Sequence, residues 1–209
     1  MGKRRPSVIM LFGNKEVGKT TSANEILMWL RKHGYFGNHK IAFADPIKDV
    51  AIAFGIPAGL VHGSPLDKSL PTQWRWKDII NAPDYGDSLM TVRQFLQFVG
   101  TEVFRKHFHP KTWDNLFWAK VRNGLLVEPN SIFVCHDGRH HSEMDVPSAL
   151  QDKTIKILIK RETGDQDSHS SEKQLHEMPD ELFDHVIIND GTKEELYAKL
   201  GGVMESLYL

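Results

Sequence analysis

The sequence has one cysteine, no long apolar run and almost no net charge, and each scarcity excludes a class of protein. Cys135 alone cannot form an intramolecular disulfide, so a reducing, cytoplasmic setting is expected. No apolar run reaches the ~20 residues that a membrane span needs, so no membrane partner is expected. A net charge of −1 is unlike the strongly positive charge that is typical of nucleic-acid-binding proteins, so no nucleic-acid partner is expected. The 209 residues, 40% of them hydrophobic, have the composition of one globular domain.

Five short apolar segments predict the strands of a sheet. They are rich in Ile and Val and apolar at successive positions, which is typical of strands buried on both faces of a parallel sheet. They cover residues 7–12, 40–44, 131–135, 154–159 and 184–188. Helical spacing of apolar residues occurs at 19–32, 92–99, 113–121 and 193–207. Strands that alternate with helices predict an α/β fold with a five-stranded parallel sheet flanked by helices.

A glycine-rich segment between the first strand and the first helix is the strongest motif. Residues 13–20 match G-x-x-x-x-G-K-[ST] at every fixed position, which predicts a P-loop nucleoside triphosphatase fold. Such a loop points successive backbone N–H groups at phosphates. Lys19 is expected to reach the β- and γ-phosphates, and the Thr20 hydroxyl to ligate Mg²⁺. The expected nucleotide contacts are Gly13, Asn14, Lys15, Glu16, Val17, Gly18, Lys19, Thr20 and Thr21.

Two carboxylates follow predicted strands, at the edge of a parallel sheet where ligands bind. Asp137 comes after the apolar segment 131–135, as in a Walker B arrangement, and is expected to hold Mg²⁺ through water or to orient the nucleophile. Asp45 ends the segment 40–44 and is expected to contact an acceptor or take its proton. A helix N-cap is the alternative role for each, since Pro46 suits a first helical position.

Basic side chains near strand ends are candidates for stabilising a transferring phosphoryl group. Arg139 and Arg161 follow the third and fourth strands, and Arg93 opens a helix that is otherwise mostly apolar. Arg is suited to this task because its planar guanidinium binds phosphate bidentately. Zinc binding is the alternative use of this region, but the spacing of Cys135, His136, His140 and His141 matches no standard zinc site.

The motifs, in this order, resemble the deoxynucleoside monophosphate kinases of tailed bacteriophages. Apart from the P-loop each is weak alone, and it is their order and spacing that make the resemblance specific. The matching segments are residues 13–20, 43–48, 91–102 with Arg105 and Trp113, 137–139 with Glu143, 169–172 and 189–192.

This resemblance implies an adenylate-kinase-like fold with ATP as donor, Mg²⁺ as cofactor and a deoxynucleoside monophosphate as acceptor. A phage-encoded chain would then act in the host cytoplasm. The implied acceptor contacts are Phe43, Asp45, Lys48, Arg93, Gln97, Trp113 and Arg139. Asn189 and Gly191 are implied to lie near the adenine. The residues expected to act in transfer are Lys19, Asp45, Asp137, Arg139 and Arg161.

Two stretches interrupt the alternation of strands and helices. Residues 55–89 contain four prolines together with Trp74 and Trp76, and are too long for an ordinary loop. Residues 161–177 are polar and lie between the last two strands, where a lid would sit. We therefore expect a single domain with an acceptor-binding part at 55–124, a lid at 161–177 and a core formed by 1–54, 125–160 and 178–209.

Three other functions are compatible with a P-loop. Another small-molecule kinase, such as a dephospho-coenzyme A kinase, shares the loop and an acid after the second strand. A GTPase usually carries Asn-Lys-x-Asp, which residues 189–192 do not match. A nucleic-acid-linked ATPase is disfavoured by the near-neutral charge. The base preference, and the choice between monomer and homodimer, stay open.

Overall fold

The computed structural model describes residues 5–79, 85–161 and 178–209. They form two compact units: one contains Met1–Phe43 and Phe117–Leu209, and the other Ala44–Leu116. The expected lid, at 161–177, lies outside the described residues except for Arg161, as does the matching segment 169–172. No helix in the described ranges has the length and apolar content that crossing a bilayer requires.

The first unit is built on a five-stranded parallel sheet, which confirms the predicted fold class. Its strands, in chain order, are β1 Val8–Phe12, β2 Asn38–Ile41, β5 Ile132–Gly138, β6 Thr154–Lys160 and β7 His185–Ile188. They lie in the order β2-β5-β1-β6-β7. β1 is central because all five of its residues are apolar and buried. Val8, Met10 and Phe12 pack into one hydrophobic cluster and Ile9 and Leu11 into another, one on each face.

Helices cover both faces of this sheet. They are α1 Lys19–Lys32, α5 Thr112–Val127, which begins in the second unit, and α6 Lys193–Tyr208. α6 begins in a capping box: the Thr192 hydroxyl accepts the Glu195 backbone N–H, and the Glu195 carboxylate accepts the Thr192 N–H at 2.8 Å. Leu196, Leu200 and Met204 are buried along one stripe of this helix, as their spacing predicts.

The second unit contains residues 55–89, the stretch that interrupts the predicted alternation of strands and helices. Its elements are α2 Asp45–Ala53, α3 Ala58–Val61, β3 Pro71–Arg75, β4 Leu89–Thr91 and α4 Val92–Gln97. β3 and β4 pair antiparallel, and Trp76, directly after β3, is buried in the hydrophobic cluster of this unit. A π-helix, Phe98–Lys106, continues α4, so the helix predicted over 92–99 changes its winding at Phe98. Long π-helices are rare and are frequently found at functional sites.

The second strand ends earlier than its apolar pattern predicts. β2 ends at Ile41, and Asp45 is the first residue of α2 rather than the last of a strand. Pro46 suits this position, because its fixed φ favours the first turn of a helix. The N-cap is Ala44 and has no side-chain hydrogen bond, so the capping role considered for Asp45 is also wrong.

Candidate functional site

The loop between β1 and α1 passes through positive φ values, which glycine adopts more easily than other residues. Gly13 has a φ of 154° and Gly18 a φ of 100°, and Glu16 between them has a φ of 65°. A Cβ atom on Gly13 would lie 2.5 Å from the Ile159 carbonyl oxygen, on the neighbouring β6. The loop therefore sits directly against the sheet edge, with no room for a side chain at its first position.

The amino end of α1 is free of the groups that usually neutralise a helix N-terminus. Its N-cap, Gly18, makes no side-chain capping bond, and its first turn contains no acidic residue. Backbone N–H groups and the helix dipole there favour an anion. Thr20 lies in this first turn and is exposed.

Lys19 places a positive charge inside the same loop. Its side chain is only 7% exposed, and Nζ donates to the carbonyl oxygens of Gly13 and Asn14, both at 2.5 Å. Since an ammonium group has three donors and no acceptor, it is well placed to exchange carbonyl partners for phosphate oxygens. The loop, the helix end and Lys19 together make a site for a polyanion.

Asn189 supports this loop from the sheet side. The residue is 6% exposed, and its Nδ2 donates to the Val17 carbonyl oxygen at 2.9 Å. A Cβ atom on Gly18 would lie 2.9 Å from the same Nδ2, so glycine is required where the amide packs. The Asn189 amide thus supports the P-loop, and the contact near the adenine that the resemblance implies for Asn189 stays a prediction. Gly191 follows β7 in the turn before α6.

Asp137 connects the ends of two neighbouring strands. Its Oδ1 accepts the backbone N–H of Phe43 at 2.9 Å and the thiol of Cys135 at 3.4 Å. Burial, followed by the Asp137 charge, raises the pKa of the Cys135 thiol well above its usual value, so the thiol stays protonated and can donate. One carboxylate oxygen of Asp137 is therefore committed to positioning, at the carboxyl end of β5.

The side chain of Phe43 packs in the hydrophobic interior. It is 3% exposed and stacks on Phe117, with ring centroids 4.0 Å apart. An acceptor contact through its ring is not compatible with this packing. The family resemblance implied an acceptor contact for Phe43 as part of the segment 43–48, but the chain turns from sheet to helix within that segment.

A buried carboxylate that the sequence did not assign fixes the loop after β5. Glu143 is 2% exposed, and its Oε2 accepts the backbone N–H groups of Arg139, at 2.7 Å, and His140, at 2.9 Å. These bonds hold the backbone of Arg139, whose side chain is partly exposed. Glu143 stands three residues after His140, the N-cap of a short 3-10 helix, and an acid at this spacing is a known capping signal in a sequence. Arg161 follows β6 and is exposed.

In the second unit, four of the expected acceptor residues carry polar side chains, two of them exposed and two partly buried. Arg93 and Gln97 are one helical turn apart on α4, and both are exposed. Lys48 and Asp45 face each other on α2, with Nζ and Oδ1 3.4 Å apart. α4 begins in a capping box, in which the side chain of Gln94, the residue after Arg93, accepts the backbone N–H of Thr91.

Trp113, also expected to contact the acceptor, is interior. It is 1% exposed, its indole N–H donates to the Gly100 carbonyl oxygen at 2.9 Å, and its ring lies 5.0 Å from that of Phe104. This geometry makes Trp113 a support for the π-helix rather than a stacking surface.

Among the described residues, no three His, Cys, Asp or Glu side chains lie together as a group that could hold a metal ion.

Comparison with known proteins assigns the chain to a family. The family model for deoxynucleotide monophosphate kinase matches residues 67–200, more than half of the chain. The chain belongs to the deoxynucleotide monophosphate kinase family. The deoxynucleotide monophosphate kinase of Escherichia phage RB69 is 30% identical over 114 residues, which are 54% of this chain and 45% of that protein. That of Enterobacteria phage T4 is 29% identical over 121 residues, 56% of this chain and 46% of that protein.

This member of the deoxynucleotide monophosphate kinase family spans about half the length of the curated relatives it matches. Its P-loop lies outside the residues matched by the family model, so the nucleotide site rests on the geometry of residues 13–20 itself. Among solved structures, the crystal structure of TT1252 from Thermus thermophilus aligns over 99% of this chain and 100% of that one, with 16% identity and a TM-score of 0.43.

The hydrogen bond from Asn189 to the P-loop predicts that this residue affects the affinity for nucleotides. Asn189→Ala leaves the Val17 carbonyl without its buried donor, and we expect the dissociation constant of the loop for a nucleoside triphosphate to rise about tenfold. If the amide acts only through the loop, the affinities for ATP and for GTP should fall by the same factor. Binding titrations with both nucleotides measure this, with the exposed Asn130→Ala as control. A loss restricted to ATP would instead assign the amide to adenine.

Proposed function

We propose that this protein transfers the γ-phosphoryl group of ATP to a deoxynucleoside 5′-monophosphate, giving ADP and a deoxynucleoside diphosphate. The observation that carries the proposal is the uncapped amino end of α1 with the buried Lys19 ammonium inside the glycine-rich loop. Membership of the deoxynucleotide monophosphate kinase family supports the choice of acceptor. A cytoplasmic setting, in the host if a phage encodes the chain, belongs to the same proposal.

The donor site consists of residues 13–21 in the first unit. The backbone N–H groups of the loop bind the β- and γ-phosphates, and Lys19 neutralises charge that develops during transfer. The residues present fit Mg²⁺, because Thr20 offers an exposed hydroxyl in the first turn of α1 and Asp137 a carboxylate at the end of β5. Thr20 and Asp137 would hold Mg²⁺, which would supply Lewis-acid chemistry at the phosphates. Asn189 and Gly191 stay our candidates for contacts near the adenine.

The acceptor contacts are assigned to polar side chains of the second unit. Arg93 binds the acceptor bidentately, Gln97 donates to it from the same exposed face of α4, and Lys48 adds a positive charge from α2. Asp45, paired with Lys48, orients that lysine and is our candidate for the acceptor's proton. Arg139 and Arg161 are assigned to the transferring phosphoryl group, where cations stabilise the charge of the transition state.

A coupled assay of ADP release tests this function. The acceptor panel contains the four natural deoxynucleoside monophosphates, the four ribonucleoside monophosphates, dephospho-coenzyme A and single-stranded DNA, with ATP or GTP as donor. ADP release that requires a deoxynucleoside monophosphate supports the proposal. Release stimulated by dephospho-coenzyme A, release stimulated by DNA, or hydrolysis of GTP alone would each replace it with the corresponding alternative.

A further inference from the structure

Three cationic residues of the second unit come from three elements that pack on one another. Lys48 lies on α2, Lys68 in a single turn of 3-10 helix, Asp67–Ser69, and Arg93 in the first turn of α4. α4 packs against both α2 and the 3-10 turn. The backbone N–H of Val92 donates to the Leu70 carbonyl oxygen at 3.0 Å, which fixes the start of α4 beside the end of that turn. Lys68 was not among the residues that sequence motifs assigned to a site.

The acidic groups near these cations are largely occupied. The Asp67 carboxylate, next to Lys68 in sequence, accepts the Ser64 hydroxyl at 2.6 Å and the Ser64 backbone N–H at 2.7 Å. These hydrogen bonds hold the pKa of Asp67 below its ordinary value. Asp45 pairs with Lys48. Within the described part of the chain, Lys68 and Arg93 form no ion pair.

Lys68 is half-buried, and its surroundings disfavour the charged form of its ammonium group. Burial lowers the pKa of its ammonium, and repulsion by Lys48 and then by Arg93 lowers it further. Each of these repulsions outweighs the attraction of Asp67. The group holds three cations and two carboxylates, Asp45 and Asp67, so one positive charge is left over and an anion that binds there relieves the repulsion at Lys68. A nucleoside 5′-phosphate, with about −1.5 to −2 charges at neutral pH, is an anion of this kind.

We propose that Lys68 joins Lys48 and Arg93 in a subsite for the 5′-phosphate of the acceptor. This inference rests on the proposed function and names the group of the substrate that the second unit recognises. Arg93 supplies a planar fork to two phosphate oxygens, and the two lysines act as point charges. The subsite reads the phosphate and not the base or sugar, so it distinguishes a nucleotide from a nucleoside.

The test replaces the charge of Lys68 and retains its length. We expect Lys68→Met, in the full chain, to raise the Michaelis constant for the deoxynucleoside monophosphate about 10–100-fold, the effect of one charge-assisted hydrogen bond. The Michaelis constant for ATP and the unfolding midpoint should stay unchanged. Lys68→Arg should retain most of the affinity. Lys77→Met is the matched control, because Lys77 lies in the same unit but is exposed and paired with Asp87 at 2.8 Å.

A binding measurement separates this subsite from the proposed activity. In wild-type protein with ¹³C-methylated lysines, titration with inorganic phosphate should shift the Lys68 resonance, which the Lys68→Met variant identifies. If phosphate shifts that resonance but no deoxynucleoside monophosphate is phosphorylated, the subsite stands and the proposed function is wrong. If the acceptors are phosphorylated with equal Michaelis constants in wild type and Lys68→Met, or if phosphate leaves the resonance unmoved, the subsite is wrong.

Discussion

Replacing Lys19 with alanine is expected to lower kcat by a factor of at least about 10²–10³, the effect of removing one preorganised charge that stabilises a transition state. The Lys19 ammonium lies inside the P-loop, 2.5 Å from the carbonyl oxygens of Gly13 and Asn14. No neighbouring side chain of the loop can replace it, because Lys15 is exposed and lies beside Glu16. Single-turnover measurements with saturating ATP separate the chemical step from binding.

A matched control for this variant is Lys32→Ala. Lys32 is exposed in the last turn of the same helix, so its removal changes the net charge by the same amount without touching the loop. We expect the Lys32 variant to keep the wild-type kcat, and both variants to keep the circular dichroism spectrum of the wild type. A Lys19→Ala protein with kcat within threefold of wild type would remove Lys19 from the transfer step and weaken the proposed function.

Trp113→Ala is expected to have the largest effect on stability, a loss of about 3–5 kcal/mol in the free energy of unfolding. The indole is 1% exposed, packs on Phe104 and donates its N–H to the Gly100 carbonyl oxygen. Alanine leaves a cavity and also leaves that carbonyl without its donor. Urea denaturation followed by circular dichroism measures the loss. Phe108→Ala, at an aromatic residue 76% exposed, should stay within about 0.5 kcal/mol of wild type.

A second variant at this position distinguishes support from substrate stacking. Trp113→Phe keeps an aromatic ring but removes the N–H, so it should lower stability by about 1–3 kcal/mol. Because the structure places the ring in the interior, we expect the Michaelis constant for the acceptor to change less than threefold. A tenfold rise in that constant, in a variant that is folded at the assay temperature, would restore the acceptor contact that the sequence resemblance implied.

Local patterns in the sequence determined the scaffold and the P-loop. Five consecutive apolar residues specify β1 as a strand covered on both faces, and the spacing of Gly13, Gly18 and Lys19 specifies the P-loop. The buried stripe of α6 could also be predicted from the sequence, since Leu196, Leu200 and Met204 repeat with the period of a helix. These features depend on residues that are close in sequence, and periodicity reports such short-range order directly.

Tertiary structure alone decided which polar and aromatic groups meet. Asn189 reaches Val17 across 172 positions and Asp137 reaches Phe43 across 94, because parallel strands that are distant in sequence end at one edge of the sheet. Trp113 is interior, and Lys68 lies near Arg93, because short elements of the second unit pack together. The periodicity of apolar residues in the sequence does not predict which of these elements become neighbours. Sequence spacing fixes what each segment can form, whereas burial and hydrogen-bond partners depend on which segments become neighbours.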